Sequence, residues 1–235
     1  MILDSAIRLA KQVGYQNAGT LEFLVDADNN PYFIELNPQI QVETTVTEEI
    51  TGIDIVQAQI LIAEGYALNS KEINIQSQDD IHVNGYSIQT RVTTEDPANN
   101  FLPDTGKISV YRSGSGNGMR LDGGNATTGT VISPYYDSLL VKVTCWDNSF
   151  QGTCRKALRA ISEVRVRGVK TNIPFVSNIL SHPTFVAGKC HTKFIDETPE
   201  LFDITDSKDR ATRVLKYIAN IQVANPNAER KQYDT

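Results

Sequence analysis

The feature that most constrains the fold of this chain is a hairpin pattern in residues 17–50, NAGTLEFLVDADNNPYFIELNPQIQVETTVTEEI. The pattern predicts a strand over residues 19–25, a turn over 26–30, and a return strand that stays extended over 31–43. Side chains alternate between the two faces of a strand, so one face of the return strand is expected to be wholly polar. That polar face carries Glu35, Asn37, Gln39, Gln41 and Glu43.

Two carboxylates are expected to converge across this hairpin. The same alternation turns Glu22 of the first strand toward Glu35 and Asn37 of the second. Mg²⁺ and Mn²⁺ take oxygen ligands of this kind and share them with substrate phosphates. The alternative is an amphipathic hairpin with a solvated polar face, but the stripe contains no lysine and Pro38 interrupts the strand pairing. The pattern therefore predicts a hard-cation site and leaves the solvated hairpin open.

Composition excludes several classes of function. The 235 residues carry a formal net charge of −6, which argues against a nucleic-acid partner because such a surface needs a basic footprint. No apolar run approaches the length of a membrane span, and the first twelve residues are helix-like rather than a leader peptide, so a cytoplasmic protein is expected. The cysteines and histidines are scattered and predict neither a metal site nor a nucleophile; they are Cys145, Cys154, Cys190, His82, His182 and His191.

The rest of the chain predicts further helices and strands. Helices are expected over residues 4–14, 45–65, 154–164, 171–180 and 204–222, and strands over 84–94, 107–112 and 139–146. The helix over 45–65 is apolar enough to be a core helix, and the last residues, NPNAERKQYDT, are expected to fray. The polar stretch 69–80 predicts a boundary between two subdomains.

A glycine-rich segment, SGSGNG over residues 113–118, superficially resembles a phosphate-binding loop. It lacks the lysine and the following helix that such a loop needs, so it predicts a flexible hairpin loop instead. Arg120 comes directly after it, and an arginine in that position is by itself an ordinary surface residue.

Several of these segments resemble one family. The runs GTLEFLVD and YFIELNPQIQVETTVTEEITGIDIVQAQI are similar to the end of the ATP-grasp domain of biotin carboxylases, and YSIQTRVTTEDPANNFLPDTGKI, GNGMRLDGG and YYDSLLVKVTCW resemble the C-terminal subdomain of the same family. The tail TKFIDETPELFD resembles the form found in pyruvate carboxylases, in which a carboxyltransferase domain follows. The resemblance covers most of the chain but only the later part of a biotin carboxylase.

The resemblance implies an α+β fold with three parts. Residues 1–68 would be the end of the ATP-grasp domain, 81–190 the C-terminal subdomain with an antiparallel sheet and helices, and 191–235 a linker toward the carboxyltransferase domain. The implied reaction joins bicarbonate, ATP and biotin to carboxybiotin, with Mg²⁺ or Mn²⁺, and the biotin is carried on another domain or chain. The C-terminal subdomain also implies a homodimer. The basic residues Arg155, Lys156, Arg159, Arg165 and Arg167 predict a solvated face, and the resemblance would place some of them near that interface.

Site residues are implied by position. The resemblance makes Glu22, Glu35 and Asn37 metal ligands, Gln41 and the backbone at Val42 bicarbonate contacts, Glu43 the general base, Arg120 the cation that faces the biotin ureido oxygen, and Leu24 and Ile34 apolar positions near the adenine. Two positions depart from the family pattern. Gln39 stands where the family has arginine, and Thr44 where it has histidine. Losing the charged fork of an arginine removes a strong hydrogen bond to a small oxyanion.

These observations lead to two hypotheses of different classes. The first is a fragment of the biotin carboxylation component, with little or no activity alone because the family's N-terminal domain, its ATP lid and its phosphate-binding lysines have no match here, and because Gln39 replaces an arginine. The second is a non-catalytic interaction protein that pairs with an intact biotin carboxylase through the C-terminal subdomain. Gln39 and Thr44 motivate it, since relaxed chemistry is expected where only a surface is used.

Overall fold

The computed structural model describes residues 1–124, 126–204 and 210–224, and the chain forms two compact units, Met1–Phe202 and Asp203–Thr235. The helices are α1 Ile2–Gln12, α2 Thr44–Thr51, α3 Ile55–Ala63, α4 Phe150–Glu163, α5 Ile173–Ser181, α6 Pro183–Val186 and α7 Arg210–Ala224. The strands are β1 Thr20–Val25, β2 Pro31–Asn37, β3 Tyr86–Thr93, β4 Glu95–Asp96, β5 Leu102–Pro103, β6 Gly106–Lys107, β7 Val110–Arg112, β8 Met119–Gly123, β9 Val131–Ile132, β10 Leu139–Asp147 and β11 Arg165–Arg167. Short 3₁₀ turns lie at Gln78–Asp80, Pro97–Asn99 and Pro199–Phe202.

The strand pairing is antiparallel throughout the described residues. β1 and β2 form a hairpin, and β3, β10 and β8 form a three-stranded sheet with β10 at its centre. Three further two-stranded ribbons pair β7 with β11, β4 with β5, and β6 with β9. This combination of segregated helices and antiparallel sheets confirms the α+β fold class.

One face of the three-stranded sheet builds the main core. Val143 of β10 lies between Thr90 and Leu121 of its neighbours, and the buried face of the sheet packs against α4. The buried members of this cluster include Val92, Val141, Val143, Cys145, Ala157, Ala160 and Ile161. Burial raises the pKa of the Cys145 thiol to about 11, so this cysteine behaves as a small apolar residue.

The opposite face of the same sheet is polar. Because residues that pair directly across antiparallel strands share a face, Gln89, Thr144 and Arg120 form one row. Arg91, Lys142 and Asp122 form the next row. Helix α2 packs on this face, so the sheet presents an apolar side to the core and a polar side to the first segment of the chain.

The return strand of the hairpin is shorter than the sequence pattern predicts. β2 ends at Asn37, and residues 38–43 form an irregular loop that ends in a turn instead of continuing the strand. Pro38 explains the break, because proline has no N–H to donate to a strand partner. The predicted extension through Glu43 is therefore wrong, and Gln41 and Glu43 reach the site from a loop.

The single helix predicted over residues 45–65 is two helices. α2 ends at Gly52, whose φ of 71° is left-handed, and α3 begins after Asp54, whose carboxylate accepts a hydrogen bond of 2.7 Å from the Gln57 amide. The prediction of a core helix is also wrong for this unit. Val56 and Ile60 of α3 are 48% and 56% exposed.

The other predicted elements are present with shifted ends. The helices predicted over 4–14, 154–164 and 171–180 are α1, α4 and α5, and the strands predicted over 84–94 and 139–146 are β3 and β10. The strand predicted over 107–112 is divided between β6 and β7. The segment 113–118 is not a hairpin loop, because it joins strands of two different sheets. Within the predicted helix 204–222 and the frayed end, residues 205–209 and 225–235 lie outside the described residues. None of the described helices is long and apolar enough to cross a membrane.

Residues 191–202 pack against α5 within the first unit. Leu201 is 1% exposed and joins Phe175 and Phe194 in a second apolar cluster. The side-chain amide of Asn178 donates a hydrogen bond of 2.9 Å to the Leu201 carbonyl, which fixes this segment against α5. The segment is therefore part of the packed structure up to Phe202.

We predict that Leu201→Ala lowers the free energy of unfolding by about 2–5 kcal/mol, because it leaves a cavity in a closed apolar cluster. Urea denaturation followed by circular dichroism measures the change. Ile195→Ala is the matched control, since Ile195 lies in the same segment but is 42% exposed, and it is expected to cost less than about 1 kcal/mol. Equal effects of the two substitutions would contradict the packing of this segment.

Candidate functional site

The hairpin brings the two predicted carboxylates together. Glu22 and Glu35 are paired directly across β1 and β2, and Thr20 is paired with Asn37. The Asn37 amide nitrogen donates to Glu22 Oε1 and to Glu35 Oε1, each at 3.0 Å. Because both oxygens accept from one nitrogen, they lie within about 6 Å of each other. The nitrogen occupies the position between two carboxylates that a bridging cation would take.

A β-bulge separates this cluster from the apolar end of the hairpin. The register shifts after Glu22, so that Phe23 pairs with Phe33 and Ile34 is the extra residue of β2. Leu24 and Ile34 are each 51% exposed. The two positions predicted to lie near the adenine therefore offer open apolar surface on the same hairpin.

The loop after β2 places Gln41 beside the carboxylates. Its amide nitrogen lies 3.4 Å from Glu22 Oε1. Its amide oxygen is buried and accepts no hydrogen bond from the residues that the structure describes. A buried acceptor without a donor is costly, so this oxygen is suited to a ligand that carries a hydroxyl or an N–H group.

Glu43 forms an ion pair that the sequence pattern did not indicate. Glu43 Oε2 accepts a hydrogen bond of 2.8 Å from the guanidinium of Arg91, and both side chains are about half exposed. Arg91 lies on β3, far from Glu43 in the sequence. In the sequence, Arg91 is marked only as a polar residue two positions after Gln89 in a predicted strand, which places both side chains on the same strand face.

The two positions that depart from the family pattern have different surroundings. Gln39 is exposed on the loop after Pro38. The Thr44 hydroxyl donates to the Gln41 carbonyl at 2.7 Å and so closes the turn that precedes α2. Thr44 thus has a local structural role, while the side chain of Gln39 is open to solvent.

Arg120 is surrounded by carboxylates. Its guanidinium donates to both oxygens of Asp122, at 2.9 and 3.0 Å, and to Glu48 at 2.6 Å, while Glu49 lies 3.8 Å away. The hydrogen bonds that Arg120 donates to Asp122 and then to Glu48 raise the pKa of Arg120 further above its ordinary value. A cleft of about 490 Å³ lies beside it. The contacts of Arg120 are with these acidic residues, whereas Arg91 contacts Glu43.

The donor set at the hairpin suits a hard cation shared with a phosphate. Among the described residues no group of three or more His, Cys, Asp or Glu side chains could hold a metal ion. Two carboxylates and one amide leave coordination positions for water and phosphate oxygens, which is the usual arrangement for Mg²⁺ in nucleotide sites. A half-turn of the Asn37 amide would present its oxygen in place of its nitrogen.

Two family models match this chain. Residues 1–71 match the carbamoyl-phosphate synthase L chain, ATP binding domain, and residues 89–197 match the biotin carboxylase C-terminal domain. The carboxylate hairpin lies in the first match, and the three-stranded sheet lies almost wholly in the second.

The chain is also similar to curated pyruvate carboxylases. It is 57% identical over 222 residues to the pyruvate carboxylase of Bacillus subtilis (strain 168), which covers 94% of this chain and 19% of that protein. It is 53% identical over 231 residues to the enzyme of Staphylococcus aureus (strain Mu50), which covers 98% of this chain and 20% of that protein. The chain therefore spans about a fifth of the length of these relatives.

Solved structures show the same similarity. A structure of Rhizobium etli pyruvate carboxylase with the allosteric activator acetyl coenzyme A matches with a TM-score of 0.86 and 50% identity, over 93% of this chain and 22% of that one. The biotin carboxylase domain dimer of Hydrogenobacter thermophilus 2-oxoglutarate carboxylase, in complex with MgADP and bicarbonate, matches with a TM-score of 0.80 and 41% identity, over 86% of this chain and 43% of that one. The chain corresponds to the C-terminal part of the biotin carboxylase region of pyruvate carboxylases.

Proposed function

We propose that this chain carries the metal-binding and bicarbonate-binding part of a biotin carboxylase, which uses ATP to join bicarbonate and biotin as carboxybiotin. The observation that carries this proposal is the convergence of Glu22, Glu35, Asn37 and Gln41 beside the loop that ends at Glu43. The similarity to pyruvate carboxylases supports it. The chain spans about a fifth of the length of those relatives, so the complete reaction is proposed for the protein region to which the chain corresponds.

Glu22, Glu35 and Asn37 would hold Mg²⁺ or Mn²⁺. The metal would neutralise the phosphates of ATP, which is the main requirement of phosphoryl transfer. The related Hydrogenobacter domain was solved with MgADP, which supports a nucleotide-bound cation. The exposed apolar side chains of Leu24 and Ile34 would contact the adenine.

Gln41, Val42 and Glu43 would form the bicarbonate loop. The amide oxygen of Gln41, which has no hydrogen-bond partner among the described residues, can accept a hydrogen bond from the hydroxyl of bicarbonate. Glu43 would act as the general base, and its ion pair with Arg91 fixes the direction of its carboxylate. Arg91 is therefore a further site residue in this proposal.

We propose that Arg120 faces the biotin ureido oxygen. This role requires the guanidinium to share or release its contacts with Asp122 and Glu48. Arg91 is a second candidate for the same task, because it already contacts the proposed base. A cation at either position would stabilise negative charge on the ureido group as its N–H is removed.

The proposed partners are ATP, bicarbonate and a biotin carrier on another domain or chain. We also propose a homodimer in the cytoplasm. The biotin carboxylase domain of the Hydrogenobacter relative was solved as a dimer, which supports the proposed homodimer.

We predict that Glu35→Gln weakens Mn²⁺ binding in the presence of ATP by about tenfold or more, because it removes one of two carboxylate ligands. Electron paramagnetic resonance of free Mn²⁺, titrated against the chain with ATP, measures the affinity. Asp28→Asn is the matched control, since Asp28 is an exposed carboxylate in the turn of the same hairpin. Equal affinities of wild type and Glu35→Gln would contradict the proposed metal site.

We also predict that Gln39→Arg raises the apparent affinity for bicarbonate by about tenfold or more, because an arginine adds a charge-assisted hydrogen bond to a small oxyanion. The experiment measures line broadening of ¹³C-bicarbonate and phosphate release from ATP with Mg²⁺ and free biotin, over a range of bicarbonate concentrations.

Gln12→Arg serves as the control for added charge, since Gln12 is exposed at the end of α1. A gain in binding without phosphate release would mean that Gln39 faces bicarbonate and that other groups limit the chemistry. An unchanged bicarbonate response in Gln39→Arg would refute the placement of Gln39 in the anion site.

A further inference from the structure

We propose that Gln89 is a positioning residue for the bicarbonate loop, the segment Gln41 to Glu43. This inference rests on the proposed function, because the loop matters only if it holds the anion and the base. The loop lies between the end of β2 and the start of α2 and forms neither strand nor helix. Local hydrogen bonds from Thr44 and Val46 close its turn, and contacts with other elements fix where it lies.

The first of these contacts is made by the Gln89 side chain. Its amide nitrogen lies 2.6 Å from the Val42 carbonyl oxygen and 2.6 Å from the Thr45 hydroxyl oxygen. A backbone carbonyl only accepts hydrogen bonds, so the nitrogen of this amide, and not its oxygen, faces Val42. Both N–H groups of Gln89 are thus directed at the segment that joins the loop to α2.

The contact continues into the centre of the sheet. The Thr45 hydroxyl accepts from Gln89 and has its own hydrogen available for the Thr144 hydroxyl, 2.8 Å away. Thr45 and Thr144 are 3% and 0% exposed, and Thr144 pairs directly with Gln89 across β10 and β3. Since these polar groups are buried, each one needs its partner, and the chain of hydrogen bonds has few alternatives.

Two neighbouring residues on one face of β3 hold two successive residues of the loop. Gln89 binds the carbonyl of Val42, and Arg91, two residues along the strand, binds the carboxylate of Glu43. A strand places such residues on the same face at a fixed spacing. The sheet therefore sets both the backbone and the side chain of the loop at its catalytic end.

The Gln89 bond acts on the peptide group that matters most. The carbonyl of Val42 belongs to the peptide bond between Val42 and Glu43, and this group is planar. Fixing the carbonyl therefore fixes the direction of the Glu43 N–H and the position from which the Glu43 side chain departs. Gln89 touches neither bicarbonate nor biotin in this proposal; it acts through Val42 and Glu43.

The test compares Gln89→Met, which keeps the length of the side chain and removes its donors, with Thr90→Val. Thr90 is the next residue on β3 and donates to the Val143 carbonyl at 3.2 Å on the opposite, core face of the sheet. Both variants lose a side-chain hydrogen bond to a backbone carbonyl, but only Gln89→Met loses one to the loop. Residue-specific amide hydrogen exchange is measured by NMR in both.

We expect amide exchange at Thr44 and Val46 to become about ten- to a hundredfold faster in Gln89→Met, while exchange at Val143 stays near the wild-type rate. These two amides donate to the carbonyls of Gln41 and Glu43 and so report on the loop. In Thr90→Val the ratio of the exchange rates of the Thr44 and Val46 amides to that of the Val143 amide should stay at its wild-type value. If Gln89→Met does not fold, Gln89→Asn shortens the same amide by one methylene and repeats the test.

A second readout concerns the ligand. The apparent affinity for ¹³C-bicarbonate should fall in Gln89→Met by more than the affinity for Mn²⁺ and ATP, because the metal ligands lie on the hairpin rather than on the loop. Equal acceleration of exchange at the loop and at Val143, or no acceleration at the loop, would overturn the positioning role. Failure of the wild-type chain to bind bicarbonate would count against the proposed function instead, since hydrogen exchange tests Gln89 without any ligand.

Discussion

The docking of α2 and its preceding loop on the polar face of the β3–β10–β8 sheet is the constraint on which the candidate site depends. Five side-chain contacts contribute to this attachment: Gln89 with Val42, Gln89 with Thr45, Thr45 with Thr144, Arg91 with Glu43, and Arg120 with Glu48. Glu48 has a second task, because its other oxygen accepts a hydrogen bond of 2.9 Å from the Ile55 amide at the start of α3. A nearly buried carboxylate with two such partners is held in one orientation, which transmits the position of the sheet to both helices.

The local parts of the site were predictable from the sequence because they depend on short-range rules. Strand alternation turns Glu22 toward Glu35 and Asn37, and in the structure Glu22 pairs with Glu35. This direct pairing depends on the bulge at Ile34, because the register that starts at the turn would otherwise pair Glu22 with Ile34. The same alternation failed beyond Asn37, since it takes no account of the missing N–H of Pro38. It also did not predict the bulge at Ile34, because the consecutive apolar residues Tyr32, Phe33 and Ile34 show no alternation from which an inserted residue could be located.

The long-range parts were not predictable in this way. The strand pattern predicts Arg91 and Gln89 as polar positions of an ordinary strand, and the neighbouring sequence does not indicate which segment they contact. Apolar periodicity has a related limit, as α3 shows. It predicts that Val56 and Ile60 belong to an apolar helix face, but it does not say what covers that face, and in this unit both are about half exposed.

The charges of the site suggest an order of binding. Glu22, Glu35 and Glu43 bring three carboxylates to the hairpin and its loop, and Arg91 is the cation that contacts one of them. Two like charges within about 6 Å of each other repel by at least about 3 kcal/mol at an effective dielectric constant of about 20. An ATP phosphate or a bicarbonate ion that approaches this cluster adds to the repulsion, whereas a divalent cation between Glu22 and Glu35 reverses it. Under the proposed function the anions would therefore enter with the metal or after it, and the loop that Gln89 and Arg91 contact would then receive bicarbonate next to a site that is no longer negative.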